Sequence, residues 1–397
     1  MKKVLLAFSG GLDTTYCVLH LRHELGLDVH TAVVQTGGFT ADELARIEER
    51  ALALGASSHT TIDETAALYR ECLRYLVFGN VLKNNTYPLS VSAERVFQAR
   101  AIARLAREGG YDYVAHGSTG AGNDQGRFDV VFRTMLPDTE ILTPIRDGKM
   151  SRDEEIAYLQ SKGVDGDWTK AQYSINQGVW GTTIGGRETL TSSEPLPASA
   201  YPSQCTRSDT VTMHLHFEAG EFVGLNGTRY DHPVSAIQEL ARVAGSYGIG
   251  RDIHVGDTII GTKGRVAFEA AAPLMIIKAH HALEKHTLTR WQLNLKDQLA
   301  LWYGQLLHEG QFAEPAMRSM EAFFVDTQRP VTGIVHVECA PYRFSILGVD
   351  TPKDLMRSEF GSYGEMNTLY TGDDVRGFAR IASNQSRIYN AVNGDAQ

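Results

Sequence analysis

Apolar positions in the first part of the chain alternate between short runs and helical spacing. The runs Lys3–Phe8 and Val29–Val34 are typical of strands buried in a parallel sheet. Between and after them, Thr14–Leu25 and Ala41–Leu54 carry apolar residues at helical spacing, and each segment ends at a glycine. Strands that alternate with helices predict βαβ units, so we expect an α/β fold with a doubly wound parallel sheet.

This pattern continues through a further helix and strand and changes near residue 165. An amphipathic helix is predicted at Ser92–Glu108 and a strand at Tyr113–His116. Later segments, such as Val211–Phe217 and the pair Gly333–Cys339 and Arg343–Gly348, predict hairpins of an antiparallel sheet between helical stretches. We therefore predict an α/β domain over 1–165, an α+β domain over 166–360 and a C-terminal arm with a helix over 361–397.

Composition limits the classes of function. The chain has 397 residues, of which 43% are hydrophobic and 21% charged, as in ordinary globular proteins of more than one domain. No apolar run is long enough to span a bilayer, and the short apolar start leads into glycines instead of a cleavage site, so we expect a cytoplasmic protein without a membrane partner. A net charge of −9 argues against a nucleic-acid partner.

The first predicted strand leads into the glycine loop Ser9–Thr15, with the sequence S-G-G-L-D-T-T. Consecutive glycines let backbone N–H groups approach an anion, and the following helix adds the positive end of its dipole. Because no lysine follows, this is not the common G-x-x-x-x-G-K-[ST] loop. A plain capped turn is the alternative, but the glycines and Asp13 directly after a buried strand favour a phosphate site.

A second glycine-rich segment follows the strand Tyr113–His116 and reads H-G-S-T-G-A-G-N-D-Q-G-R-F. If this segment is helical from about Thr119, then Thr119, Asn123 and Arg127 share one helical face. A hydroxyl, an amide and a guanidinium on one face suit a substrate that carries carboxylates. The alternative is a glycine-rich loop with a solvated polar helix start.

The two loops together resemble known families. S-G-G-x-D-[ST] is similar to the loop of the N-type ATP pyrophosphatases, and H-G-x-T-G-x-G-N-D-Q-x-R-F resembles the signature of argininosuccinate synthases. The similarity extends from Val4 to beyond Glu269. It implies an adenine nucleotide alpha hydrolase-like first domain, a synthetase second domain and a homotetramer with exchanged C-terminal arms. It also implies ATP-dependent ligation of L-citrulline and L-aspartate through citrullyl-AMP in arginine biosynthesis, with release of AMP and pyrophosphate.

The resemblance further implies roles for individual residues. ATP would be bound by Ala7, Phe8, Ser9, Gly10, Gly11, Leu12, Asp13, Thr14, Thr15, Val34 and Gly117, with Asp13 helping to hold Mg²⁺. L-Aspartate would be bound by Thr119, Asn123 and Asp124. Citrulline would be bound by Tyr87, Ser92, Asn123, Arg127, Ser174 and Thr183. The implied catalytic residues are Asp13, Asp124 and Arg127, which would act by positioning and charge stabilisation without an enzyme nucleophile.

The sequence departs from the family pattern where citrulline would bind. Asn176 stands in place of an acidic residue, and Gly256 and Phe268 align with a Glu and a Tyr that contact citrulline. Either Asp257 and Glu269 take over the contact with the amino group, or the acceptor is a modified or different ureido compound. We expect the first, because a nearby carboxylate can replace a lost charge partner.

Two alternative functions stay open at this point. One is a related adenylating ligase that joins aspartate to another ureido acceptor. The other is a nucleotide-sensing module, which would keep the first glycine loop but would not need Thr119, Asn123, Asp124 and Arg127 together.

Overall fold

The N-terminal half of the chain is built on a parallel sheet. The computed structural model describes residues 1–120, 122–164, 166, 173–357, 363–364 and 368–394. The strands of the first sheet are β1 (Lys3–Ala7), β2 (Asp28–Gln35), β3 (Ser58–Asp63), β4 (Tyr113–His116) and β5 (Glu140–Leu142). All neighbours pair in parallel, in the order β3-β2-β1-β4-β5. Since the order reverses beside β1, the ends of β1 and β4 form the switch point where α/β sheets bind ligands.

Helices connect these strands. They are α1 (Leu12–His23), α2 (Ala41–Ala53), α3 (Thr65–Leu68), α4 (Arg74–Phe78), α5 (Ser90–Gly109), α6 (Asp124–Met135), α7 (Pro144–Gly148) and α8 (Arg152–Ser161). A π-helical turn, Tyr69–Leu73, joins α3 to α4. The predicted fold class is confirmed, because helices alternate with the strands of a parallel sheet. The predicted elements of this half differ from the observed ones mainly at their ends.

The start of α6 corrects one prediction. The helix begins at Asp124 and not near Thr119, so Thr119, Asn123 and Arg127 do not share a helical face. Glycines at 117, 120 and 122 disfavour helix over this stretch. The Asn123 side chain instead accepts a hydrogen bond from the backbone N–H of Ile259, at 2.8 Å. The segment is therefore a loop that reaches toward the second half of the chain.

The second half contains two antiparallel sheets. Their strands are β6 (Ser174–Gly178), β7 (Gly181–Gly185), β8 (Val211–Glu218), β9 (Glu221–Leu225), β10 (Thr228–Arg229), β11 (Arg251–Asp257), β12 (Lys263–Glu269), β13 (Gly333–Ala340) and β14 (Arg343–Asp350). One sheet has the order β10-β9-β8-β13-β14 and the other the order β11-β12-β7-β6. The predicted antiparallel hairpins are confirmed by the β8–β9 and β13–β14 pairs.

The remaining helices are α9 (Pro233–Gly245), α10 (Ala271–Thr287), α11 (Arg290–His308), α12 (Pro315–Thr327), α13 (Gly372–Ala382) and α14 (Asn384–Asn393). Short 3₁₀ turns occur at Arg187–Leu190, Ala198–Ala200 and Leu355–Arg357. No helix among the described residues has the length and apolar character needed to cross a membrane. The division at 165/166 and at 360/361 lies at residues that are not all described, so it stays a prediction.

Helix α5 connects the two halves. Its buried residues Ala93, Phe97 and Ile102 belong to one hydrophobic core that also contains Leu5 of β1 and Trp180 beside β7. The Trp180 indole N–H donates to the carbonyl of Pro88, at 2.9 Å, just before α5 begins. Burial of large side chains on both sides of one helix holds the parallel sheet against the β6–β7 hairpin. This packing positions the site described below.

A buried acid on α5 leads to a prediction about stability. Glu94 is buried, its Oε1 has no hydrogen-bond partner, and burial raises the pKa of its carboxyl group to about 8. Because an unfolded glutamate ionises near about pH 4.3, the folded protein retains a proton that the unfolded chain releases. The contribution of Glu94 to the free energy of unfolding should therefore fall as the pH rises from about 4 to about 8. Glu94→Gln should remove about 1.4 kcal/mol per pH unit of this fall.

Denaturant titrations at several pH values in this range would measure the effect. Glu108→Gln changes an exposed glutamate at the end of the same helix and serves as the control. Parallel pH dependence of the Glu94→Gln variant and the unmodified protein would contradict the prediction.

Candidate active site

A cavity of about 1340 Å³ opens at the carboxyl ends of β1, β2 and β4. Pockets for a single small ligand usually measure roughly 300–1,000 Å³, so this volume can hold more than one. The opposite wall is formed by β6, β7, β11 and β12. The cavity is lined by most of the residues to which the sequence assigned roles: Ala7, Phe8, Ser9, Gly11, Leu12, Asp13, Thr14, Val34, Tyr87, Ser92, Gly117, Thr119, Asn123, Asp124, Arg127, Ser174 and Thr183.

Two residues of the first glycine loop do not line this cavity. Gly10 has a positive φ of 75°, and a Cβ at this position would lie 3.3 Å from the Cγ1 atom of Ile47 on α2. Thr15 is fully buried, and its Oγ1 has no hydrogen-bond partner in the described structure. Gly10 therefore shapes the turn, while Thr15 packs below it. Direct binding of ATP by these two residues stays an untested prediction.

The two glycine loops contact each other at the switch point. A Cβ at Gly117 would lie 3.2 Å from Thr14 Cγ2 and 3.3 Å from the backbone nitrogen of Thr14. Thr14 Oγ1 donates to the Gly11 carbonyl at 3.3 Å and lies 3.4 Å from Ser9 Oγ. These hydroxyl groups and the N-terminus of α1 surround a space suited to an anion.

An acidic pair lies beside the phosphate loop. Burial raises the pKa of Asp13, although its backbone hydrogen bond, Arg152 and Glu155 act in the opposite direction. Burial, followed by the neighbouring Asp13 charge, raises the pKa of Glu155 to about 8. Burial and the proximity of the two carboxyl groups therefore disfavour ionisation of both at once. Glu155 was not predicted from the sequence, because nothing in its local pattern separates it from a helix-surface glutamate.

Arg95, Asp124 and Arg127 form a charged group that lines the cavity, the Asp124–Arg127 cluster. Arg127 donates to Asp124 Oδ1 at 2.9 Å, to Ser92 Oγ at 2.9 Å and to the His308 carbonyl at 3.0 Å. Arg95 donates to the other oxygen of Asp124, at 2.9 Å. Burial opposes ionisation of Asp124, but Arg95 and Arg127 hold its pKa below its usual value. Both oxygens of this carboxylate are therefore occupied by guanidinium groups.

Arg95 and His308 complete the cluster. The Arg95 guanidinium also donates to Gln98 Oε1 at 2.9 Å. It donates in addition to Oδ1 of Asn176, a residue of β6, at 2.5 Å. Burial, then Arg127 and Lys83, lowers the pKa of His308 to about 3, so its imidazole is neutral at physiological pH. The sequence contained no local signal for His308, which reaches the cavity from the end of α11.

Tyr87 lines the cavity and also packs against the rings of His254 and Phe268. Its hydroxyl lies 3.1 Å from Ser90 Oγ and accepts from the Val91 N–H at 3.0 Å. The ring lies 5.5 Å from Phe268 and 5.3 Å from His254, between ring centroids. Phe268 is fully buried behind Tyr87.

The expectation that Asp257 and Glu269 replace the missing acidic contact is not supported by the structure. Gly256 and Phe268 lie on the face of the β11–β12 pair opposite to these two residues, because side chains alternate along a strand. Glu269 is paired with Arg251 at 3.3 Å and does not line the cavity. The Asp257 side chain reaches the cavity rim, but it is 70% exposed and paired with Lys263 at 2.6 Å.

Comparison with protein families accounts for nearly the whole chain. Residues 3–165 match the arginosuccinate synthase N-terminal HUP domain. Residues 173–389 match the arginosuccinate synthase C-terminal domain.

Individual relatives agree with these matches. An argininosuccinate synthase of Dictyoglomus thermophilum is 34% identical over 397 residues, which cover 99% of both chains. One of Dictyoglomus turgidum is 35% identical, covering 98% of this chain and 97% of its own. One of Sulfolobus acidocaldarius is 32% identical, covering 97% of this chain and 98% of its own. Both domain matches and the full-length similarity show that the chain belongs to the argininosuccinate synthase family.

Proposed function

We propose that this chain catalyses the argininosuccinate synthase reaction, the ATP-dependent joining of L-aspartate to the ureido group of L-citrulline with release of AMP and pyrophosphate. One observation carries the proposal: five residues of the first glycine loop (Ser9, Gly11, Leu12, Asp13 and Thr14) line the same cavity as Asp124 and Arg127, which are far away in the sequence. A nucleotide-sensing module would need the loop but not the cluster. The cavity volume also suits three reactants better than one.

The first half-reaction forms a bond to the nucleotide. The ureido oxygen attacks the α-phosphorus of ATP, the bond to the bridging oxygen breaks, and pyrophosphate leaves. Ser9, Thr14 and the N-terminus of α1 surround the space for the phosphates and stabilise the charge that develops on the leaving group. The product is citrullyl-AMP.

The second half-reaction consumes this intermediate. The amine of aspartate attacks the former ureido carbon, the carbon–oxygen bond breaks, and AMP leaves with that oxygen while the amine loses a proton. Arg127 and Arg95, oriented by Asp124, concentrate positive charge where carboxylates and the leaving phosphate would lie. Thr119 and Asn123 supply uncharged groups for aspartate.

A divalent cation fits the acidic pair. Asp13 and Glu155 are hard oxygen donors beside the phosphate space, and Glu155 Oε2 has no hydrogen-bond partner. Asp13, with Glu155 beside it, would hold Mg²⁺, which would neutralise phosphate charge when bound. The described residues contain no cluster of three or more metal-binding side chains.

Isotope transfer tests the proposal directly. With ureido-¹⁸O-citrulline, ATP and aspartate, the label should enter AMP and not pyrophosphate, because the ureido oxygen becomes bonded to the α-phosphorus. AMP formation should require both amino acids. Binding of ATP without AMP formation under any combination of these substrates would instead support a nucleotide-sensing module.

The C-terminal helices support a proposal about assembly. Nearly every residue of α13 and α14 is exposed, including Phe378 at 72% and Ile381 at 77%. Val375, Phe378 and Ile381 recur at helical spacing, so α13 presents an apolar stripe to solvent. We propose that this arm packs on another copy of the chain in a homotetramer.

Light scattering after size-exclusion chromatography tests this assembly. Phe378→Asp combined with Ile381→Asp should lower the mass from that of a tetramer, because the charges would have to be buried in the interface. Arg380→Asp changes an exposed polar residue of the same helix and should leave the mass unchanged. An unchanged mass in the double variant would contradict the proposal.

We also infer a cytoplasmic location. The four cysteines, Cys17, Cys72, Cys205 and Cys339, are all free thiols, which suits a reducing compartment.

A further inference from the structure

The acceptor half of the cavity is one face of a four-stranded sheet. Residues paired directly across antiparallel strands share a face, so the register places Ser174 beside Gly185, Asn176 beside Thr183, and Gly256 beside Gly264. This face contributes the following cavity-lining residues: Ser174, Asn176, Thr183, His254, Gly256, Gly264 and Val266. All of them are uncharged or, for His254, neutral at physiological pH.

This face offers no carboxylate to an ammonium group within the part of the chain that the structure describes. Asp252 lies on the same face of β11 as His254 and Gly256, but it does not line the cavity. Its Oδ1 accepts a hydrogen bond from the Ile253 N–H at 2.7 Å. Asp257 and Glu269 lie on the opposite face, each paired with a basic residue. Asp124 is already held by two guanidinium groups. An ammonium group placed here would lose water without gaining a charge partner, which is costly.

His254 occupies the space that a side chain at position 256 would take. A Cβ at Gly256 would lie 2.6 Å from His254 Nε2, closer than real contacts allow. The imidazole is 6% exposed, and burial, followed by Lys83, lowers its pKa. A neutral imidazole can donate one N–H hydrogen bond to a carbonyl oxygen. The wall therefore presents a group that can donate to a carbonyl oxygen but supplies no negative charge for the ammonium group of a free amino acid.

The open cavity in front of this wall has room for an additional group. Gly256 and Gly264 face each other across β11 and β12 and project no side chains of their own, while His254 and Thr258 fill the space directly above them. Beside them, Ser174 and Thr183 supply hydroxyl groups and Val266 an apolar surface. This lining suits a small amide with a short apolar substituent.

We propose that the preferred acceptor is a citrulline whose α-nitrogen is acylated, with its acyl carbonyl accepting a hydrogen bond from His254. This inference rests on the proposed function, since it concerns the substrate of the same reaction. The ureido chemistry and the expelled groups are unchanged, and the product is the correspondingly acylated argininosuccinate.

Steady-state kinetics with three acceptors test the inference: L-citrulline, Nα-acetyl-L-citrulline and 5-ureidopentanoate, which lacks the α-nitrogen. With saturating ATP, Mg²⁺ and aspartate, kcat/KM for AMP formation should be about tenfold or more higher for the acetylated compound than for citrulline. 5-Ureidopentanoate should fall between them, because it avoids the ammonium penalty but makes no amide contact.

Three results would contradict either this inference or the proposed function. Citrulline used as well as the acetylated compound would overturn the inference and leave the proposed function intact. 5-Ureidopentanoate used better than the acetylated compound would also overturn it, because the acyl group would then contribute nothing. AMP formation with none of the three would count against the proposed function itself.

Variants on β11 provide an independent test. His254→Ala should lower kcat/KM for Nα-acetylcitrulline by about tenfold without improving that for citrulline, since one hydrogen bond to the acyl group is lost. His254→Ala combined with Gly256→Glu makes space for a carboxylate and should reverse the preference toward citrulline. Val255→Glu places the same charge on the opposite, exposed face and should keep the original preference. A double variant that folds, by thermal unfolding, and retains the preference for the acetylated compound would contradict the assignment.

Discussion

Arg127→Gln is expected to lower kcat/KM for AMP formation by about a hundredfold or more, the usual effect of removing a charged group aimed at a reacting centre. The side chain is 5% exposed and makes four hydrogen bonds, to Asp124, to Ser92 and to both the carbonyl and the imidazole Nδ1 of His308. Glutamine keeps a donor but removes the positive charge and the forked geometry that orients Asp124. Both half-reactions should be impaired, because each proposed step develops charge in this space.

The loss of stability should be smaller than the loss of activity. Asp124 keeps its bond to Arg95, so the variant should lose about 1–3 kcal/mol of unfolding free energy and not the larger cost of a fully orphaned charge. Arg242→Gln removes an exposed guanidinium that is paired with Glu239 on α9 and is the matched control. Activity of the Arg127 variant within about threefold of the control would rule out a direct role.

Gly117→Ala is expected to reduce kcat/KM for ATP by about tenfold to a hundredfold, because small displacements at a reacting centre are amplified in the rate. The added methyl group would press against the side chain and backbone of Thr14, at 3.2 Å and 3.3 Å. The two glycine loops would then separate by a few tenths of an ångström or more. Their separation would move the phosphate space relative to the Asp124–Arg127 cluster.

Gly120→Ala is a control within the same loop. A Cβ there would have its nearest neighbour, Arg146 Cγ, at 3.9 Å, so the substitution should be tolerated. Steady-state kinetics with ATP as the varied substrate compare the two variants. Equal KM and kcat for both would show that the close approach of the loops is not needed for nucleotide binding.

Both predictions depend on where the second loop is held. His116 lies at the end of β4, and its Nε2 is 3.0 Å from Asp129 Oδ1. Its Nδ1 accepts a hydrogen bond from the Ser118 N–H at 3.2 Å. Asp129 in turn accepts from Arg146 at 2.9 Å. These partly buried contacts hold the start of the loop on α6, so that the segment after His116 emerges from a fixed point.

Local pattern was sufficient for the α/β class and for the position of the first glycine loop between β1 and α1. Hydrophobic runs and helical periodicity are short-range properties, and the elements that they predicted, such as β1, α2 and β4, lie within a few residues of their expected ends. The pattern was not sufficient for the start of α6, where glycines and the Asn123–Ile259 hydrogen bond prevail over apparent helical spacing. Helix ends depend on such partners, which no local pattern records.

The sequence by itself determined that two glycine loops follow predicted strands and that Gly256 and Phe268 stand where the family resemblance leads us to expect a Glu and a Tyr. Only the tertiary structure decided what lies around these two positions. Strand register puts Asp257 and Glu269 on the wrong face, and folding brings Lys83 and His308 from distant segments to His254 and Arg127. The physical reason is that charge compensation depends on distance and direction in space, and neighbours in the sequence of a strand point to opposite sides.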